Sequence, residues 1–411
     1  MRRGLESSVL ILVTMGLVAF GLVMVYSATS ASAALANGDP AYYLKRQAIY
    51  AVLGLVLMVA FSRIDFRALR ALAPVLMVSS AVLLLAVLVI GRAANGASRW
   101  ISFGPLVFQP SELAKLALAV WAAGYLARRK PPRSLAELWR PIGLVTLVFC
   151  GLILVEPDLG TAIAIVVMVA AMLLVAGTPG RTLGAGLGIV ATLGLLAVWL
   201  EPYRRARLFS FLNPWQDAQG AGFQTVQAMI GLGSGGIFGV GLGQSVQKTN
   251  YLPEAHTDMI FAIIGEELGL VGATAVIAAY CVFAYLGLKI ALQCKDPFGK
   301  RLAAGLTALV CGQAAINLAA VMGLAPLTGI PLPFVSYGGS SLVVALACVG
   351  ILLNIAGNAR AGARSAGVPD RSRRDGGSRP ARARNRSGAA RPRSTRDVRR
   401  VAGSRRGATG S

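Results

Sequence analysis

The sequence predicts an all-α polytopic membrane protein of about ten transmembrane helices, with a large outer loop before the eighth. Three observations carry that prediction. First, the 411-residue chain is 55% hydrophobic and 14% charged, with a mean hydropathy of +0.65, well outside the range of a soluble domain. Second, apolar runs of about 17 to 25 residues recur along most of its length, each sufficient to cross a hydrocarbon core about 30 Å thick as a helix. Third, basic residues cluster in alternate loops, as repeated threading through a bilayer requires.

In chain order, spans are expected near 9–26, 48–61, 71–90, 111–127, 141–155, 161–177, 183–200, 259–292, 302–324 and 340–355. The first follows Met1, Arg2 and Arg3 but leads straight into further spans, so it reads as a retained helix rather than a cleaved leader. The run at 48–61 is short and needs Arg46 to snorkel; the run at 259–292 is overlong, so part of it belongs outside the hydrocarbon. Arg63, Arg67 and Arg70, then Arg128, Arg129, Lys130, Arg133 and Arg140, then Arg181, then Lys295, Lys300 and Arg301 mark cytoplasmic loops, with both termini on that side. The outer segments are then 27–43, 91–110, 156–160, 201–258 and 325–339. Arg204, Arg205 and Arg207 break the charge bias there and need a reason.

The net charge of +23 is concentrated in 358–411, a stretch rich in Arg, Gly, Ser and Pro with almost no apolar residues. It reads as a disordered Arg-rich cytoplasmic tail, separate from a membrane domain at 1–357. Without Phe, Tyr or Trp to stack on bases, the tail suits anionic lipid headgroups, and no nucleic-acid partner is expected. The five cysteines show no paired or metal-ligand spacing and read as small core hydrophobes.

Chemistry-bearing residues gather in the outer loops. The segment GFQTVQAMIGLGSGGIFGVGLGQSVQK holds Gly231, Gly233 and Gly236 in a dinucleotide-like spacing, but no strand precedes it, so a flexible or re-entrant stretch is the better reading. Its backbone amides suit close approach to an anion, with Gln224, Gln227, Gln244 and Lys248 lining it. YLPEAHTD follows, packing Glu254, His256 and Asp258 into eight residues; His256 is the one histidine of the chain. After the helix-stopping Pro253, Thr257 or Asp258 suits the N-cap of the next apolar run, yet a cap needs a single short polar group and this cluster offers three ionisable ones. Partial desolvation there raises a carboxylate's pKa toward the range of a general base.

RWISFGPLVFQPSELAK places Glu112 and Lys115 at i,i+3, either a plain helical ion pair or a functional pair at a span's mouth. EPDLGT sets Glu156 and Asp158 two apart, which fits a solvated turn or a divalent cation. PLTGIPLPFVSYGGSS is apolar but rich in proline, so its backbone must pack into protein or line a cavity; it reads as the wall of a lipid-facing groove.

QPSELAK, EPDLGT, the glycine-rich segment through YLPEAHTDMIFAIIGEELG, and PLPFVSYGGSS resemble, in this order and in these loops, the SEDS family (shape, elongation, division and sporulation). The resemblance covers essentially everything before the tail. EAHTD, with FLNPWQDAQGAGFQ upstream, is more similar to the division branch than to the elongation branch. It implies a peptidoglycan glycosyltransferase that polymerises lipid II at the outer face of the bacterial cytoplasmic membrane. The implied partners are undecaprenyl-pyrophosphate-linked glycan, a class B penicillin-binding protein and other division proteins at the septum. The family's essential aspartate maps to Asp258. A lipid II flippase is the rival reading, although the few charged groups near the spans, Glu112, Lys115, Glu266 and Glu267, read as gathered toward one end rather than spread across the bilayer.

The reaction joins C1 of a lipid-pyrophosphate-linked sugar to the 4-hydroxyl of the next disaccharide with inversion. Asp258 is the expected proton acceptor, and the pyrophosphate leaves when its charge is balanced. Arg99, Lys115, Lys248 and the outlying arginines are candidates for that balance, with Mg²⁺ or Mn²⁺ as an accompanying cation and no organic cofactor. Gln224, Gln227, Glu254, His256, Thr257, Ser336 and Tyr337 complete the expected substrate-binding set, and Trp100, Gln109, Glu112, Glu156 and Asp158 the orienting one.

Overall fold

Polar residues at the ends of the apolar runs decide where the helices start. The computed structural model describes residues 4–94, 97–104, 106–248, 252 and 254–366; of the tail expected at 358–411, residues 358–366 continue the last helix, and 367–411 and Pro253 lie outside the described residues. Helix α1 spans Leu5–Asn37 and α2 spans Tyr42–Arg63. Because Tyr42, Tyr43, Lys45 and Arg46 form the opening turns of α2, the helix has 22 residues rather than the short run expected from apolarity. The Asp65 carboxylate accepts the Arg67 amide and starts α3 (Phe66–Ile90), and Pro110 occupies the first turn of α4 (Pro110–Arg128). A short α5 (Leu135–Leu138), one π turn (Trp139–Gly143) and α6 (Leu144–Val155) cover the next run. Then come α7 (Leu159–Ala176), stopped by left-handed Gly177, and α8 (Gly180–Leu200). The large loop holds α9 (Pro202–Leu212) and α10 (Phe223–Ser234), and the chain closes with α11 (Ile260–Gln293), α12 (Pro297–Val321) and α13 (Gly339–Ala366).

Among the described residues nine helices are long and apolar enough to cross a membrane. The tenth expected position is filled by α4, which carries Glu112, Lys115 and Arg128 and is nearly enclosed by α3, α7 and α12. Elsewhere α2 lies along α13, and α12 lies between α7 and α11. At the α2–α13 contact a Cβ on Gly350 would stand 2.4 Å from the Met58 carbonyl oxygen, so only glycine lets the two backbones touch. By contrast α8 buries almost nothing but Thr182, as a lipid-facing helix does.

Two elements depart from a plain helical bundle. The loop after α3 folds into a three-stranded antiparallel ribbon, β1 (Arg92–Ala94), β2 (Ala97–Phe103) and β3 (Leu106–Phe108), in which Ile101 faces Phe108. Tyr50 of α2 accepts the Val107 amide at 2.6 Å and ties the ribbon to the bundle.

The second departure explains the overlong eighth run. Gly269 breaks α11 with φ 64° and ψ −160°, a conformation that suits glycine alone. The amides of Leu270 and Val271 donate to Gly236 and Ile237 (2.9 and 3.2 Å), while the freed carbonyls of Glu266 and Glu267 receive the Val240 and Gly241 amides (2.9 and 3.0 Å). The glycine-rich stretch thus completes the broken ladder. Its amides do approach an anion, and that anion is the protein's own: the Glu266 carboxylate accepts the Val246 and Gln247 amides at 3.0 and 3.4 Å and the Ser245 hydroxyl. Glu267 accepts the Ser27 hydroxyl at 2.7 Å and the Lys248 ammonium at 3.1 Å.

Candidate active site

The outer-loop motifs converge on one cavity of about 560 Å³. Its walls come from the first turns of α2 (Arg46, Tyr50), the ribbon (Arg99, Trp100), the mouth of α4 (Gln109, Glu112), the α6–α7 turn (Asp158, Thr161), α9 (Arg204, Arg207), α10 (Gln224), the acid cluster (Glu254, Thr257, Asp258) and the loop from Pro326 to Ser341.

Asp258 is half-buried at the edge of this space. Met259 rather than Asp258 stands at the N-cap of α11, and it makes no side-chain cap, so the carboxylate is not spent on the helix. The Thr257 hydroxyl lies 3.2 Å from Asp258 Oδ1 and 3.1 Å from Glu254 Oε2, one hydrogen between two acids. Burial, joined by the nearby Glu254 charge, pushes Asp258 up to about 6, while the Arg207 guanidinium pulls the other way. The surrounding walls take the place of bulk water even though the carboxylate still faces the cavity. A carboxylate with a pKa near 6 is ionised at neutral pH and basic enough to take a proton.

The arginines differ in what holds them. Arg99 donates to the Glu156 carbonyl at 2.8 Å and also to the Pro157 carbonyl, so it braces the EPDLGT turn while facing the cavity. Arg204 is braced likewise, against Leu154 (2.6 Å) and Ala197 (3.3 Å). Arg207 bonds the Leu327 carbonyl at 3.3 Å, which places it beside the loop opposite Asp258. Arg46 donates to the Tyr42 hydroxyl at 2.8 Å. The broken charge bias has a structural reason at two of the three positions: α9 brings Arg204 and Arg207 to the cavity wall, whereas Arg205 is exposed and lies over the Trp199 ring at 5.9 Å, outside the lining.

Several expected site residues are held away from the cavity. Lys115 is fully enclosed and bound to Glu112 at 2.8 Å; Glu112 itself reaches the cavity wall. Lys248 is drawn inward to Glu267, because a buried carboxylate holds an ammonium more strongly than a solvated loop does. Gln227 sits half-buried on α10 outside the lining, and Ser336 is buried, its hydroxyl accepting the Leu332 amide at 2.8 Å. His256 packs between Tyr43 and Tyr337 (ring centroids 4.7 and 5.4 Å), and its carbonyl accepts the Tyr337 amide at 2.8 Å. Burial lowers its pKa, so at neutral pH it is an uncharged spacer joining the acid cluster to the loop wall.

The EPDLGT turn divides its two acids. Asp158 caps α7, accepting the Thr161 amide at 3.0 Å, and receives Gln109 at 3.2 Å. Glu156 is buried with both oxygens unpaired, and burial with the Asp158 charge pushes it up to about 8 against the opposing pull of Arg99. Without a metal cation beside it, its carboxyl therefore holds its proton more tightly than an ordinary carboxylate.

Arg46 and Tyr50 line the cavity without having been expected there, while Thr161, Ser340 and Ser341 line it as parts of the EPDLGT turn and the expected PLTGIPLPFVSYGGSS wall. A signal existed for the first two: Tyr42, Arg46 and Tyr50 recur every four residues and share a helical face once α2 is started early enough.

A helical membrane scaffold holding a half-buried acid and arginines around one cavity among its loops defines a class of polytopic membrane proteins with a polar site suited to an anionic ligand. Comparison with known proteins makes this specific. The cell cycle protein family of FtsW, RodA and SpoVE matches residues 7–361, and the chain belongs to that family, the SEDS family. It is 43% identical over 353 residues to a probable peptidoglycan glycosyltransferase FtsW of Geobacter metallireducens, covering 84% of this chain and 93% of that protein. It is 40% identical over 351 residues to the stage V sporulation protein E of Bacillus subtilis, covering 84% and 95%. Among solved structures, a chain of a peptidoglycan synthase complex described as coordinating polymerization and crosslinking superposes with a TM-score of 0.72 at 34% identity, covering 85% of this chain and 97% of that one. The rod shape determining protein RodA of Thermus thermophilus superposes with a TM-score of 0.61 at 32% identity, covering 85% and 96%.

Proposed function

We propose that this protein is a peptidoglycan glycosyltransferase that polymerises lipid II for the division septum, with Asp258 as general base. The observation that carries the mechanism is Asp258 itself: an acid free of any helix cap, raised to about 6, on the wall of a 560 Å³ cavity lined by arginines. Family membership and the names of the relatives support the activity and the division role.

In the proposed reaction the acceptor's sugar hydroxyl lies about 3 Å from the Asp258 carboxylate, which takes its proton as the new glycosidic bond forms at C1 of the donor. The bond from C1 to the pyrophosphate breaks on the opposite face, so configuration inverts. The departing pyrophosphate carries negative charge, and Arg207 and Arg46 are the groups proposed to receive it, with Arg99 and Arg204 holding the wall they face. Among the described residues no group of three or more His, Cys, Asp or Glu gathers, and Asp158 already accepts the Thr161 amide at 3.0 Å. Mg²⁺ or Mn²⁺ is therefore proposed to travel on the substrate's pyrophosphate, and no step is routed through it.

Lipid II and the growing undecaprenyl-pyrophosphate-linked strand are the proposed substrates, and a class B penicillin-binding protein the proposed partner, a reading supported by the likeness to a chain of a synthase complex. Both termini are proposed to lie in the cytoplasm, a reading that the charge bias of the loops supports. The test is reconstitution with the penicillin-binding partner and lipid II. Wild type yields glycan strands and Asp258→Asn binds lipid II but yields none. Strands from Asp258→Asn at the wild-type rate overturn the base assignment. Movement of fluorescent lipid II across liposomes without any polymer by wild type favours the flippase.

A further inference from the structure

Asp258 ends a turn that no helix cap secures, so its place must be fixed from elsewhere. Asn317, one turn before the end of α12, is 2% exposed and sits behind that turn. Its Nδ2 group donates twice, to the Asp258 carbonyl at 2.7 Å and to the Ile330 carbonyl at 2.8 Å. One planar amide thereby fixes the acid's backbone against the loop that forms the facing wall. A Cβ on neighbouring Gly329 would stand 3.9 Å from Asp258 Oδ2, so the two sides are already close.

The other end of the same side chain is informative. Asn317 Oδ1 is buried without a hydrogen-bond partner. An unsatisfied buried acceptor costs stability, and an apolar side chain of similar size would avoid that cost. The amide is kept for what its N–H groups do.

We propose that Asn317 is a positioning residue for catalysis: by clamping the Asp258 and Ile330 carbonyls together it sets where the carboxylate aims relative to the groove wall. The inference rests on Asp258 being the general base. Displacement of a reacting group by about 1 Å costs on the order of a hundredfold in rate, and loss of the Asn317 tether frees the Asp258 carbonyl to move on that scale.

The test compares Asn317→Ala, Asn317→Ser and Asp258→Asn in the reconstituted complex with lipid II. Asn317→Ala is expected to lower kcat about 10- to 100-fold with KM for lipid II within about twofold. The midpoint of the acid limb of its pH profile is expected to fall, because a loosened Asp258 regains water. Asn317→Ser, which keeps one donor, falls between; it also carries the comparison where the alanine variant does not assemble. An unchanged kcat and an unchanged acid midpoint in the Asn317 variants, beside an inactive Asp258→Asn, overturn the positioning role alone. Normal polymerisation by Asp258→Asn overturns the catalytic reading beneath it.

Discussion

Two acidic clusters lie close together in this chain and obey opposite rules. Glu266 and Glu267 are 2% and 0% exposed, yet between them they accept amides, two hydroxyls and an ammonium. Asp258 is more open and less satisfied: its own backbone amide, one shared hydroxyl, a neighbouring acid, and an arginine across the cavity. Depth of burial alone would have picked the wrong acids as reactive. What distinguishes them is unspent bonding capacity: a carboxylate whose lone pairs are filled holds structure, and one left half-filled in a confined space is available for a proton.

Breaking this contrast begins with Asp258→Asn. Polymerisation is expected to fall by 10²- to 10⁴-fold, the range of a general base. Its stability should move the other way. Because the folded pKa of about 6 lies above the ordinary carboxylate value, the folded state binds more protons between about pH 4 and 6, and stability falls as pH rises through that window. At pH 7 the ionised acid is a cost, so the amide variant should melt higher than wild type; a lower melting temperature contradicts the account.

Glu267→Ala probes the other cluster. It strands Lys248 in a protein interior with 7% of its side chain exposed, for an expected loss of about 3–5 kcal/mol. Denaturation of the detergent-purified protein measures it. If this variant retains full stability but loses activity, the structural reading of the pair is broken.

A pH series sharpens the distinction further. Activity of wild type should drop about tenfold per unit below pH 6, roughly 1.4 kcal/mol for each, and level off above pH 7. A flat profile from pH 5 to 8 removes Asp258 as the titrating base. The smallest effect is expected at Asp158→Ala, where loss of the α7 cap costs about 1 kcal/mol, read as a modest fall in melting temperature.

The bundle and the acid were legible in the sequence because hydrocarbon imposes long apolar runs and leaves little room for charge elsewhere. Asp258, Glu254 and Thr257 were visible for that reason, as were the loop walls at Pro326–Ser341. Arg46 was assigned to snorkelling because apolarity set the start of α2 too late, whereas polar helix formers can open a helix above the bilayer. Lys248 was misread because its partner, Glu267, is 19 residues further along, buried inside α11 just before the break at Gly269, and no local signal links the two. The ribbon of β1 to β3 rests on pairings among short stretches that carry no strong local signal.

The pairing of Glu266 and Glu267 also dictates an order of manufacture. Ser27, Ser245, Val246, Gln247 and Lys248, which receive these two acids, all leave the ribosome before them. Every such partner of the two acids therefore precedes them in the chain, so their pairing needs nothing synthesised later. The tether on Asp258 comes the other way round, from Asn317, nearly sixty positions later. Under the proposed positioning role, the carboxylate gains its aim only once α12, the penultimate long helix, has been made.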